Sequence, residues 1–112
     1  MSPTDPSNPA QGERRRHLRQ KVAAEVRLQL EKHATPLRAQ TADISLGGCY
    51  VEMMFTLEVG TKVKLTLWLL DEKVDIEGTV VTRDLQVGNG IQFTNLTAED
   101  SARLKHFLSS VP

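Results

Sequence analysis

The chain has 112 residues, 39% of them hydrophobic and 25% charged, which is the length and balance of one globular domain. Fourteen Lys and Arg against fourteen Asp and Glu give a formal net charge of zero, which argues against a protein that coats nucleic acid by neutralising phosphates. No apolar run approaches the roughly 18 to 20 residues of a membrane helix, and the N-terminus lacks the basic-then-apolar order of a signal peptide. Cys49 is the only cysteine, so we expect a cytoplasmic protein with no internal disulfide, no multi-cysteine zinc site and no membrane insertion.

In chain order, residues 1–12 carry prolines at 3, 6 and 9 and almost no apolar side chain, the composition of a disordered arm ahead of a single domain over 13–112. Val22, Ala24, Val26, Leu28 and Leu30 then alternate with polar residues and predict a half-buried strand. A second strand is expected over Leu37 to Ile44, a tight turn over Ser45 to Gly48, where the glycines tolerate unusual backbone angles, and a third strand from Cys49 to about Met54. Val63, Leu65, Leu67 and Leu69 mark a fourth, Asp71-Glu72 a hairpin tip, and Val74, Ile76, Gly78 and Val80 a fifth with a bulge or bend at Gly78. Gly88-Asn89-Gly90 reads as a turn before a short strand containing Ile91 and Phe93. Thr97 as N-cap, acids in the first turn and the stripe Leu104, Phe107, Leu108 and Val111 predict a terminal helix. The fold class is therefore all-β dominated, a small six-stranded antiparallel barrel with a C-terminal helix. Met53, Met54 and Phe55 read first as core, Cys49 as a packing residue, and Trp68 as a packing residue that is partly exposed.

Catalytic chemistry finds no support. His17, His33 and His106 sit in no motif with a nucleophile, no His or Cys pair has metal-ligand spacing, and no glycine motif cradles a triphosphate or dinucleotide. The charge, by contrast, is unevenly placed. Arg14, Arg15, Arg16, Arg19 and Lys21 put five cations into eight residues, while Asp71, Glu72, Asp75, Glu77 and Asp84 make the later half acidic. Such a run is a solvated tail unless the rest of the chain completes an anion site.

Two motifs provide that completion: R-x-x-x-R through Arg15 and Arg19, and D-x-S-x-x-G through Asp43, Ser45 and Gly48. They stand in this order with strands between them. With these residues, and with Gly90-Ile91-Gln92-Phe93 as a G-x-x-F strand, the chain resembles the PilZ family of bacterial cyclic di-GMP receptors over about residues 13–110. The chemistry suits that ligand on its own terms. Guanidinium pairs bidentately with phosphate or with the O6/N7 edge of guanine and stacks on purine faces. A carboxylate such as Asp43 can accept from guanine N1–H and the N2 amino group.

The resemblance implies a ligand set of Arg15, Arg19, Asp43, Ser45 and Gly48, with Gly47 beside the last in a turn that lets the backbone approach the ligand. An arginine at the place of Arg14 goes, in the family, with two intercalated cyclic di-GMP molecules per chain. Arg16 has no motif role, and Arg83 is a further candidate for the same face. The expected function is a ligand-gated adaptor that signals through an unidentified protein effector, as a monomer or weak homodimer and without DNA or RNA. The alternatives are a small barrel that binds single-stranded nucleic acid, disfavoured by aromatics at only 4%, and a PilZ-like interaction module that binds no ligand.

Overall fold

Six runs of alternating apolar and polar residues close into a ring because each strand finds an antiparallel partner on both sides. The computed structural model describes residues 18–70 and 72–111. The strands are β1 Gln20–Lys21, β2 Glu25–Leu30, β3 Leu37–Ile44, β4 Gly48–Glu52, β5 Lys62–Leu69, β6 Glu72–Asp84 and β7 Gly88–Asn95, followed by the helix α1, Ala98–Ser109. Their order is β1-β3-β2-β5-β6-β7-β4, and a β3–β4 pairing closes β2 to β7 into a six-stranded antiparallel barrel. The expected fold class is the observed one. Closure removes the free edges that would otherwise template aggregation.

Alternation decides what lies inside. Val26, Leu28, Leu65, Leu67, Ile76 and Val80 are all buried, and Leu104, Phe107 and Leu108 of α1 join the same core. Each such side chain contributes about 1.5–3 kcal/mol relative to leaving it in water. The helix begins where Thr97 Oγ1 accepts from the Asp100 amide at 3.0 Å, with Glu99 and Asp100 in its first turn.

Several local expectations differ from the structure. The first strand is not continuous: β1 and β2 are separated by residues 22–24, and both lie along the same side of β3. Thr41, fully buried, mends the break. Its hydroxyl accepts from the Ala24 amide at 2.9 Å and donates to the Val22 carbonyl at 2.7 Å, which satisfies backbone groups the ladder leaves over. Gly88-Asn89-Gly90 is no turn but the start of β7. The chain reverses at Leu85–Val87 instead, with Gln86 at φ 64°. The glycines are there for contact: a Cβ on Gly88 would run into the Val51 carbonyl oxygen and stand 2.7 Å from Tyr50 Cε2. Glu72 already pairs with Leu69, so the hairpin tip is earlier than expected, and Leu70 takes φ 50°. Gly78 does sit at a register shift, and a second shift lies between Val80 and Thr82.

The cluster read as core splits. Met53 packs against the interior, whereas Met54 and Phe55 are 70% and 87% exposed, because β4 ends at Glu52 and the chain leaves the barrel there. With Leu85 and Gln86 they flank a cleft of about 320 Å³ at one end of the barrel. Trp68 is half-buried, with the Arg27 guanidinium 4.9 Å from its ring centroid. No helix among the described residues is long and apolar enough to cross a membrane.

Candidate ligand-binding site

The two sequence motifs meet because β1 pairs with the end of β3, placing Gln20 opposite Ile44 and Lys21 opposite Asp43. Arg19 immediately precedes β1, and its Nη1 lies 3.8 Å from Asp43 Oδ2. The arginine is 71% exposed in its side chain and the aspartate 23%, so the pair itself adds little stability. Arg14, Arg15 and Arg16 lie outside the described residues.

Asp43 sits on a bulge. The β3–β4 register slips between Thr41 and Asp43, so Asp43 is turned away from the core while Thr41 and Ile44 on either side are buried. One oxygen faces Arg19. The other, Oδ1, is buried and has no hydrogen-bond partner among the described residues. A buried carboxylate oxygen calls for a donor, since one left with none costs about 1–3 kcal/mol.

The turn after Asp43 is the opposite case. Ser45 Oγ accepts from the amides of Gly47 and Gly48, both at 3.1 Å. The Ser45 amide donates to the Gly48 carbonyl at 2.8 Å, and the Gly47 carbonyl accepts from the Phe93 amide at 2.9 Å. Ser45 is itself buried. The serine hydroxyl and both glycine amides are thus engaged in shaping the turn, whereas the Asp43 carboxylate keeps an oxygen without a partner among the described residues. The expectation of unusual backbone angles at the two glycines does not hold, since Gly60 alone among the described glycines has positive φ. Gly48 is needed for another reason: a Cβ there would overlap the carbonyl oxygen of Ile91 on β7.

Two neighbours carry the field of this site. The Cys49 thiol, inside the barrel, is pushed up to about 12, first by burial and then by the Asp43 carboxylate, with Arg19 acting the other way. It is an inert thiol. Tyr50 is the cross-strand partner of Asp43 and points outward. Its ring leans over Gly88 and its hydroxyl donates to Asp84 Oδ2 at 2.7 Å. Partial burial, followed by that hydrogen bond, raises its phenol to about 12.

Sequence reading gave Tyr50 no role. The signal was present, since Cys49 and Val51 point inward and leave Tyr50 on the face that carries Asp43. Arg83 does not join that face. Its Nε and Nη2 donate to Thr56 Oγ1 and the Thr56 carbonyl at 3.0 and 3.3 Å, so it braces the loop after β4. Among the described residues, no three His, Cys, Asp or Glu side chains group as a metal site.

Solved structures share this barrel. The PilZ domain with c-di-GMP of YcgR from Escherichia coli superposes with a TM-score of 0.71 at 16% identity, covering 87% of this chain and 90% of that one. The K. pneumonia MrkH–c-di-GMP complex gives 0.71 at 22%, over 86% of this chain and 51% of that one. The Bacillus subtilis inhibitor of motility MotI/DgrA gives 0.71 at 20%, again over 86% of this chain. The chain spans half the length of that Bacillus protein. No curated protein sequence matches it. At these identities the structures show the fold. The sequence model of the PilZ domain matches residues 13–110, nearly the whole chain, and the protein therefore belongs to the PilZ domain family.

Proposed function

We propose that the protein is a cyclic di-GMP receptor that signals through a protein partner. The observation that carries this reading is Asp43: a carboxylate with one buried oxygen that has no partner among the described residues, beside a guanidinium and just before a turn whose serine hydroxyl and glycine amides are engaged with one another. A guanine supplies two adjacent donors for that carboxylate. The two ligand phosphates offset the mutual repulsion of Arg14, Arg15, Arg16 and Arg19, and guanidinium forks suit both phosphate and base edge. Ser45, Gly47 and Gly48 act by fixing the turn and, through it, Asp43. YcgR and MrkH, which share the barrel, are solved with c-di-GMP.

Arg14 before the R-x-x-x-R motif supports a stoichiometry of two intercalated ligands per chain. The exposed Met54, Phe55 and Leu85 at the barrel end support a protein effector, because apolar side chains grouped in this way are typical of contact surfaces. Calorimetry with cyclic di-GMP tests the core of the proposal. The wild type releases heat and gains thermal stability at saturation, and each of Arg15→Ala and Arg19→Ala weakens binding about 30- to 150-fold, the equivalent of about 2–3 kcal/mol. Absence of heat and of a thermal shift in the wild type overturns the receptor reading. One ligand per chain overturns the stoichiometry alone.

A further inference from the structure

We propose that Tyr50 is a stacking platform for a guanine of the bound ligand, extending the site from Asp43 across the outer face of β4 and β7. The inference rests on the cyclic di-GMP reading above. Register places Asp43, Tyr50, Gly90 and Thr82 in one row across β3, β4, β7 and β6. Directly opposed residues on one sheet face hold their Cβ atoms about 4.5–5.5 Å apart, so a base held by its Watson–Crick edge at Asp43 lies within reach of the tyrosine.

Beside that row the sheet carries no side chain at Gly88, and the ring of Tyr50 rests on that space, where a Cβ would come within 2.7 Å of Cε2 and 3.0 Å of Cζ, while the Thr82 side chain covers Gly90. The ring is fixed at both ends, by its place in β4 and by the 2.7 Å bond from its hydroxyl to Asp84 Oδ2. An aromatic held in this way loses little entropy on stacking. Tyr50 is half-buried, with one side against the sheet. The other described aromatics are placed elsewhere: Trp68 under Arg27, Phe93 against the core, Phe107 within it and Phe55 in the loop after β4. A carboxylate that reads a base edge and a rigid ring that takes a base face are complementary halves of purine recognition.

Tyr50 is the only tyrosine of the chain, which makes the test direct. Ring-labelled 13C-tyrosine gives one set of ring resonances. On adding cyclic di-GMP these shift upfield by the ring current of a stacked base. Calorimetry on the same protein should show Tyr50→Leu binding about 5- to 100-fold more weakly, and Tyr50→Phe, which keeps the ring and loses only the Asp84 bond, within about threefold of wild type. A role confined to bracing Asp84 predicts the reverse for Phe, a loss equal to that of Leu. Heat of binding with unmoved tyrosine resonances and an unchanged Tyr50→Leu affinity overturns the stacking proposal and leaves the receptor reading standing. No heat from the wild type overturns both.

Discussion

Asn89 and Asp43 are polar residues on neighbouring parts of one barrel, and they are treated in opposite ways. Asn89 is fully buried. Its Oδ1 accepts from the Leu57 amide at 2.8 Å, and its Nδ2 donates to the carbonyls of Leu57 and Thr82 at 2.9 and 3.1 Å. Everything it offers is used, and the result is a latch that ties the loop after β4 to the barrel end where Met54 and Phe55 are displayed. Asp43 keeps a buried oxygen without a described partner and a loose contact with a mobile type of side chain, an exposed arginine. A completed network serves the fold, whereas an incomplete one indicates a group kept for something outside the fold.

The contrast can be broken at either residue. The largest effect on stability is expected at the satisfied one. Asn89→Ala strands the Leu57 amide and carbonyl and lowers the unfolding free energy by about 2–4 kcal/mol, read as a lower urea midpoint. Cyclic di-GMP affinity of the folded fraction should stay as in the wild type. Asp43→Ala is expected to do the opposite: stability of the free protein within about 1 kcal/mol of wild type, since an oxygen with no partner among the described residues and an exposed ion pair are lost together, but binding weakened about 30-fold or more. If Asp43→Ala unfolds the protein as Asn89→Ala does, the two residues are of one kind and the contrast fails.

The smallest effect is electrostatic. The Cys49 thiol, pushed up from 9.0 to about 12, should resist a disulfide reagent in the folded protein at pH 8 and react at once on unfolding. Its raised value means that the folded state favours the neutral thiol. The corresponding stability is intact below about pH 9, the unfolded thiol's range, and is lost as pH climbs toward 12. Asp43→Asn should lower the thiol's apparent value and Arg19→Ala should raise it, which reports the field at Asp43 without any ligand. No response to either change would mean that burial alone sets the thiol.

Much of the barrel was legible because alternation is a local property. The strand over Leu37–Ile44, the alternating runs of β2 and β5, and the helix capped by Thr97 stand where periodicity places them. The errors share one cause, which is that glycine and short apolar runs have more than one use. Gly88-Asn89-Gly90 has turn composition, yet Gly88 admits the Val51 carbonyl and the Tyr50 ring, Gly90 lies against the Thr82 side chain, and the asparagine turns inward. Met54 and Phe55 are apolar, but no strand carries them into the core. Nothing in the sequence sets Thr41 apart, because the two backbone groups its hydroxyl serves become available only through the break between β1 and β2.

The candidate site divides in the same way. The sequence by itself determined the arginines, the acid and the turn residues of the two motifs, their order and the family to which they belong, because spacing and chemistry are written along the chain. Only the tertiary structure decided which of those groups remain free. Ser45 and the amides of Gly47 and Gly48 are consumed by their own turn, Arg19 and Asp43 are brought together by the β1–β3 pairing, and Tyr50 enters from the next strand. The physical reason is that a hydrogen-bonding group is available only if no neighbour has taken it, and those neighbours are set by strand pairing between residues far apart in sequence.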